Sequence, residues 1–242
     1  MIYNQQEFDI RLEWGLKGVE ELAPVSDVII IVDVLSFSTC VDIATKNGAV
    51  IFPYRWKDDS AIEYAKNLNA ELADFKRKYT EGYSLSPTSL LNIKPKTKLV
   101  LPSPNGSTLC LSTGYTPTIC GSLRNAKVVA TLASKFGNKI SIIPAGEQWE
   151  DKSLRVSFED LIGAGAIISY LNGSLSPEGK VALKIFENSK TTLLEDIKQC
   201  SSGKELIERG FEKDVLLACQ FNSSDNIPVL TDNCFVGQTL PT

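Results

Sequence analysis

The chain has 242 residues, a hydrophobic content of 43% and a formal net charge of −4. This length fits one α/β domain or two small ones, and the composition is ordinary for a protein with a packed core. The acidic balance argues against a general nucleic-acid binder, because there is no excess of positive charge to hold a phosphate backbone. Since no apolar run reaches the roughly 18 residues of a membrane span and the start does not resemble a signal peptide, we expect a cytoplasmic protein that does not contact a membrane.

The sequence contains six cysteines and no histidine. The cysteines are widely spaced and form no C-x-x-C pair, so free thiols are expected rather than a disulfide framework or a metal site. The lack of histidine excludes Ser-His-Asp and Cys-His catalysis and every zinc site that uses histidine. Proton transfer must then use Asp, Glu, Lys, Tyr, Cys or solvent, and a metal site would be oxygen-rich, which favours Mg²⁺.

Strands and helices are predicted in alternation along the chain. Residues 7–14 alternate polar and apolar side chains, as a half-exposed strand does, whereas the uninterrupted apolar run 28–32 predicts a strand buried on both faces. Further strands are predicted at 49–54, 98–101, 118–120 and 139–144, helices at 17–23, 38–47, 58–70, 108–113, 124–136, 178–187, 190–199, 202–210 and 212–219, a helix that opens at Phe158, and short extended pieces at 227–240. Residues 71–97 are less regular and contain the basic run Lys76-Arg77-Lys78.

The strand–helix alternation predicts the fold class. It is typical of α/β proteins, so we expect one domain over residues 1–242, a three-layer α/β/α structure with a mostly parallel, possibly mixed, central sheet. In the helix that opens at Phe158, Gly163 and Gly165 are expected to allow close packing.

Polar side chains follow several predicted strands at the point where each strand ends. These residues are Asp33 with Ser36, Ser38 and Thr39; Asn105, Gly106, Ser107 and Thr108; Gly121 and Ser122 with Arg124; and Gly146 with Glu147. If the strands are parallel, their exits share one edge of the sheet, which is where open α/β sheets bind ligands. Carboxylates, hydroxyls, turn amides and a guanidinium at one edge could hold Mg²⁺ and a phosphate group.

Simpler interpretations of the same residues stay open. Asp33 could merely cap the helix that follows it, because Asp and Ser both favour that position. The segment 105–108 could be a plain Asn-Gly turn. Glu159 and Asp160 could be first-turn acids that are favoured by the helix dipole.

Several short motifs, in this order, resemble the 2-phosphosulfolactate phosphatase family, Mg²⁺-dependent phosphatases of an α/β fold. The motifs are Val32-Asp-Val-Leu-Ser-Phe-Ser-Thr39, Ser103-Pro-Asn-Gly-Ser-Thr108, Gly121-Ser-Leu-Arg-Asn-Ala126, Ala145-Gly146, Glu159-Asp-Leu-Ile-Gly-Ala-Gly165, Ser202-Gly-Lys-Glu-Leu-Ile-Glu-Arg-Gly210, Lys213-Asp-Val215 and Ile227-Pro228. The resemblance implies hydrolysis of 2-phospho-3-sulfolactate to sulfolactate and phosphate, a step toward coenzyme M. Family members often carry Arg where this chain has Ser36.

The resulting hypothesis for the mechanism assigns a role to each candidate. Asp33, Glu159 and Asp160 are the expected Mg²⁺ ligands, and Glu147 is the expected acid or base. The expected substrate-binding residues are Ser36, Ser38, Thr39, Asn105, Gly106, Ser107 and Arg124. Metal-activated water is favoured over an aspartyl-phosphate at Asp33, because Leu35 stands where the second Asp of a D-x-D-x-T motif would be.

Two other functions are compatible with the sequence. One is a phosphatase-like protein that binds a small phosphorylated or sulfonated acid without hydrolysing it, and the other is a phosphatase for a different small phosphomonoester. A homodimer is plausible for an α/β enzyme of this size.

Overall fold

A computed structural model describes residues 2–240 of the chain. The strands are β1 (Ile10–Leu12), β2 (Val28–Val32), β3 (Val50–Tyr54), β4 (Glu71–Leu72), β5 (Lys98–Pro102), β6 (Thr118–Gly121), β7 (Ile140–Pro144), β8 (Glu147–Gln148), β9 (Leu154–Arg155), β10 (Ile227–Thr231) and β11 (Cys234–Gln238). The α-helices are α1 (Gly15–Leu22), α2 (Phe37–Lys46), α3 (Asp59–Leu68), α4 (Gly106–Cys110), α5 (Ala126–Ala133), α6 (Phe158–Ile168), α7 (Pro177–Ser189), α8 (Leu193–Gln199), α9 (Ser201–Glu208) and α10 (Glu212–Ala218).

The main sheet is mixed and has the strand order β1-β7-β2-β6-β10-β11-β3-β5-β4. The pairs within β1-β7-β2-β6 and within β3-β5-β4 are parallel. Between these two blocks lies the C-terminal hairpin β10–β11, which pairs antiparallel with itself, with β6 and with β3. This arrangement confirms the predicted α/β class with a mostly parallel, mixed sheet.

Helix α2 lies against the middle of the sheet. Nine of the ten residues of this helix are buried, and α2 packs against strands of both blocks and of the hairpin. The three antiparallel steps between β6 and β3 reverse the strand direction from one block to the other. The exits of β2 and β5 nevertheless meet at Asp33, whose Oδ2 accepts from the Gly106 amide at 3.1 Å.

Helices cover both faces of the sheet. Val28, Ile30 and Val32 of β2 belong to a core shared with α5, α6 and α7, whereas Ile29 and Ile31 belong to a core shared with α1, α2 and α4. This alternation follows from the period of two in a strand, and burial of both sets explains the uninterrupted apolar run. Helix α3 packs on the other side of β3 and β5.

The predicted elements are largely confirmed, although several bounds differ and the short strands β4, β8 and β9 are not among the predicted elements. Two of the differences have a visible physical reason. The strand predicted as half-exposed is β1, and it is buried throughout, because the Arg11 guanidinium donates to the Val25 carbonyl at 2.9 Å inside the protein. The helix predicted to begin at 124 begins at Ala126, after a short 3₁₀ turn in which Ser122 and Asn125 cap each other reciprocally. Within residues 2–240, no helix has the length and apolarity required to cross a bilayer.

Helices α6 and α7 pack closely at Gly165, as the sequence predicts. A Cβ added to Gly165 would collide with the carbonyl of Ala182 and lie 2.8 Å from Cβ of Phe186. We therefore expect Gly165→Ala to lower the free energy of unfolding by about 1–3 kcal/mol, although Ala is the better helix former. Urea unfolding measures this change.

Gly179→Ala is the matched control in α7. A Cβ there would meet its nearest atoms at 3.5 to 3.8 Å, which is ordinary contact. This substitution should be neutral or stabilising by up to about 1 kcal/mol. An equal loss of stability in both variants would contradict the packing argument.

Candidate active site

Asp33 follows β2 directly and accepts hydrogen bonds from two helix N-termini. Its Oδ1 accepts from the Phe37 amide of α2 at 3.0 Å, and its Oδ2 accepts from the Gly106 amide of α4 at 3.1 Å. The side chain remains 7% exposed, at the bottom of a cavity. Asp33 thus binds the first amide of α2, although Ser36 is the N-cap residue, and it is at the same time a carboxylate that reaches the cavity.

The turn between β5 and α4 contacts two carboxylates. The Gly106 amide binds Asp33, and Asn105 Nδ2 donates to Glu147 Oε2 at 2.8 Å. The close approach requires glycine, because a Cβ on Gly106 would overlap the Phe37 ring and lie 2.8 Å from Asp33 Oδ2. The predicted convergence of the β2, β5 and β7 exits is therefore present.

Burial and the repulsion between like charges raise the pKa values of two of the cavity carboxyls, Asp33 and Glu147. Burial raises the pKa of Asp33 to about 6; the amides of Phe37 and Gly106 oppose this shift, and the charge of Glu159 adds to it. Burial, followed by the charges of Asp33 and Glu159, raises the pKa of Glu147 to about 7. Glu147 thus titrates near neutral pH, as a general acid or base must.

Asp160 ties two strand exits together from the first turn of α6. Its Oδ1 accepts from the Val34 amide at 2.7 Å and its Oδ2 from the Gly146 amide at 2.9 Å. Burial and then the charge of Glu159 raise its pKa. The neighbouring Glu159 is also buried, accepts from Cys200 Sγ at 3.2 Å and lines a separate depression.

Among residues 2–240, no three acidic, cysteine or histidine side chains are placed to hold a metal ion together. The structure therefore does not bring Asp33, Glu159 and Asp160 into one coordination set. Mg²⁺ commonly needs only one or two carboxylates, with water and substrate phosphate as the other ligands. A carboxylate whose pKa is raised by burial and, less strongly, by the charge of Glu159 fits such a cation, and Asp33 is that residue in the cavity.

The cavity has a volume of about 280 Å³ and carries both signs of charge. Its acidic side chains are Asp33, Glu147 and Glu205, its basic side chains are Lys57, Arg77 and Arg209, and its hydroxyls are Ser36, Ser103 and Ser202. Partial burial and the charge of Arg77 lower the pKa of Lys57. An anionic ligand would relieve this crowding of cations.

Apart from Gly106, whose amide binds Asp33, and Arg124, the predicted substrate-binding residues divide into two groups. Ser36 and Asn105 line the cavity. The hydroxyls of Ser38, Thr39 and Ser107 are buried and bond to the backbone within the protein. These three therefore fix the turns around the site and do not face a ligand.

Arg124, the predicted phosphate anchor, does not line the cavity. Its Nε donates to Asp42 Oδ2 at 2.9 Å, and its Nη1 donates to the Leu217 carbonyl and to Gln220 Oε1. The guanidinium is thus bound within the protein, because the buried carboxylate of Asp42 requires a partner.

Arg77 lies at the candidate ligand site, where the sequence predicts Arg124. It lines the cavity, and its Nη2 donates to Ser36 Oγ at 3.1 Å. The signal in the sequence is the basic run at 76–78, but that run lies in an irregular segment and follows no predicted strand. Lys57, which follows β3, and Arg209 also line the cavity and are not among the predicted site residues.

Comparison with known proteins supports the resemblance seen in the motifs. The family model described as 2-phosphosulpholactate phosphatase matches residues 17–233. The 2-phosphosulfolactate phosphatase of Methanocaldococcus jannaschii is 28% identical over 213 residues, which cover 84% of this chain and 88% of the relative. A probable 2-phosphosulfolactate phosphatase of Carboxydothermus hydrogenoformans is 31% identical over 88% of both chains.

A third relative, a probable 2-phosphosulfolactate phosphatase of Thermotoga petrophila, is 25% identical over 91% of this chain and 98% of its own length. The family match covers most of the chain, including the exits that carry Asp33, Asn105 and Glu147. It confirms the predicted enzyme class, a hydrolase of phosphoric monoesters. The chain belongs to the 2-phosphosulpholactate phosphatase family.

Proposed function

We propose that the chain is a Mg²⁺-dependent phosphatase that hydrolyses a small phosphorylated 2-hydroxy acid, with 2-phospho-3-sulfolactate as the first candidate. The observation that carries this proposal is a single cavity in which Asp33 and Glu147 face Lys57, Arg77 and Arg209. The names of the relatives support the choice of substrate.

The basic side chains bind and orient the substrate. The proposed substrate carries the phosphate charge of about −1.5 to −2 near neutral pH together with the charge of its acid group, and Lys57, Arg77 and Arg209 supply cations for both groups. Guanidinium groups bind phosphate, carboxylate and sulfonate oxygens through parallel N–H groups, which also sets the orientation of the ligand. The volume of about 280 Å³ limits the substrate to a small molecule.

Asp33 is the residue that would hold Mg²⁺ against the substrate phosphate. Bound Mg²⁺ would neutralise negative charge on the phosphate oxygens. The amides of Phe37 and Gly106 hold the carboxylate in place while it does so, since each oxygen keeps lone pairs beyond the one that accepts an amide.

Glu147 moves the proton. Asn105 Nδ2 binds its Oε2, which leaves Oε1 to carry the proton. With a pKa of about 7, a substantial fraction of Glu147 is protonated at neutral pH and can donate to the departing alkoxide oxygen.

Phosphate release from a panel of phosphorylated 2-hydroxy acids, with Mg²⁺ or with EDTA, tests the proposal. We expect turnover of 2-phospho-3-sulfolactate that EDTA abolishes. Asp33→Asn should lower kcat at least about 100-fold, since even residues behind a metal ligand are typically worth about 10–100-fold.

Other outcomes of this assay would indicate a different function, a different substrate or a different mechanism. Saturable thermal stabilisation by the panel without phosphate release would identify a binding protein instead. Release only from other phosphomonoesters would keep the reaction and reject the substrate. Near-normal turnover by a folded Asp33→Asn variant, or activity indifferent to EDTA, would reject the mechanism.

Glu147→Gln tests the proton role and the raised pKa together. The pKa in the folded protein, about 7, lies above the ordinary value of 4.5. The folded state therefore binds more protons than the unfolded state between these values, and stability falls as the pH rises through this window. Glutamine cannot ionise, so in EDTA the variant should be more stable than the parent by about 1–3 kcal/mol at about pH 8 and by less at about pH 5.

The same variant should lose about 10²–10⁴-fold in kcat, the usual contribution of general acid catalysis. Glu205→Gln is the control, because Glu205 lines the same cavity but is exposed and paired with Arg209 at 2.7 Å. It should change stability by less than about 1 kcal/mol at either pH. A stability gain in Glu147→Gln that is equal at both pH values would contradict the raised pKa.

A further inference from the structure

We propose that Arg77 is the specificity-determining cation of the cavity, which recognises a second anionic group on the substrate, and that Asp214 is the residue that positions it. This inference rests on the proposed function and deepens it. The second group is a carboxylate or a sulfonate, because both can present two oxygens to the parallel N–H groups of a guanidinium.

Asp214 is an anchor rather than a cavity residue. It is fully buried on α10, and its Oδ2 accepts from Arg77 Nη1 at 2.7 Å. Its Oδ1 accepts from Ser86 Oγ at 2.8 Å and from the Thr88 amide at 3.1 Å. Both carboxylate oxygens are thus bound, so Asp214 holds the guanidinium in one place and joins α10 to the 76–90 segment.

The ring of Phe211 fixes two cations of the cavity together. The guanidinium carbon of Arg77 lies 5.6 Å from the ring centroid, and that of Arg209 lies 5.9 Å away. Tyr79 packs edge-on against the same ring, with centroids 5.2 Å apart. Cation–π contact of this kind orients guanidinium groups, so the ring steadies two donors that line one cavity.

The two Arg–Asp pairs within residues 2–240 differ in where their other donors go. The side chains of Arg77 and Arg124 are similarly buried, at 10% and 8% exposed, and each pairs with a carboxylate that is 0% exposed. Arg124 directs its remaining bonds to a carbonyl and to Gln220 inside the protein. Arg77 directs Nη2 to Ser36, beside Asp33 in the cavity, so it is placed to bind a ligand.

The remaining donor of Arg77 favours a second anionic group beside the phosphate. The proposed Mg²⁺ on Asp33 would bind the phosphate, whose charge is about −1.5 to −2. Asp214 offsets the charge of Arg77 through Nη1, but Nη2 still donates into the same cavity, where it meets Ser36. A carboxylate or sulfonate on the substrate would bind this donor, whereas a simple phosphomonoester held on Mg²⁺ would not.

The test compares two substrates that differ only in the second anion. 2-Phospholactate has a carboxylate where isopropyl phosphate has a methyl group. The wild-type enzyme should favour 2-phospholactate in kcat/KM by at least about 10-fold. Arg77→Gln and Asp214→Asn should each raise KM for 2-phospholactate by about 10–100-fold, the usual worth of a hydrogen bond to a charged group, and change KM for isopropyl phosphate by less than about 3-fold.

Asp42→Asn is the matched control, since it breaks the other buried Arg–Asp pair in the same isosteric way. It should lower stability and leave the ratio of the two KM values unchanged. Thermal unfolding of each variant separates a folding defect from a positioning defect, and Arg77→Gln carries the test if Asp214→Asn does not fold.

The possible results are distinguishable. If the wild-type enzyme releases phosphate from no substrate, the proposed function itself fails. If it is active but shows no preference for 2-phospholactate, or if Arg77→Gln weakens both substrates equally, the inference fails and the proposed function stands. If only Asp214→Asn, in folded form, leaves the KM ratio unchanged, the positioning role is overturned.

Discussion

The carboxylate of Asp33 joins parts of the chain that the strand order keeps apart. One oxygen holds the start of α2 and the other holds the start of α4, which follows a strand of the opposite block. This close approach is possible because Gly106 has no side chain to push the two apart. The site therefore depends on one buried carboxylate, Asp33, whose two oxygens are held by backbone amides.

Concentrating carboxylates at the strand exits has a cost that the function explains. Burial and like charges raise the pKa values of Asp33, Glu147 and Asp160, which means that their ionised forms are disfavoured in the folded protein. Backbone amides offset part of this cost at Asp33 and Asp160. At Glu147 the charge of Arg155 and the side-chain amide of Asn105 offset part of it, and this is the carboxyl whose pKa of about 7 lets it exchange a proton near neutral pH.

The sequence allows a good prediction of the local structure and a poorer one of the partners. The bounds of β2 and the position of Asp33 follow directly from the uninterrupted apolar run, and the polar exits at Asn105 and Glu147 do meet Asp33. The strand–helix alternation predicts one parallel edge, however. It does not reveal that the hairpin β10–β11, from the far end of the chain, separates two parallel blocks. Strand pairing between distant segments leaves no local pattern in the sequence.

The same limit applies to single side chains: the sequence predicts Arg124 at the site, whereas Arg77 lines the cavity. Both are arginines with a buried aspartate partner, and that partner is 82 residues away for Arg124 and 137 residues away for Arg77. Local sequence places Arg124 at a strand exit and Arg77 in an irregular loop, which favours the wrong one. What decides between a structural and a ligand-binding arginine is the destination of the donors that the aspartate does not use. For Arg77 that destination is Ser36. Position 36 therefore does not itself have to carry a cation, because Arg77 supplies one in the cavity beside Asp33.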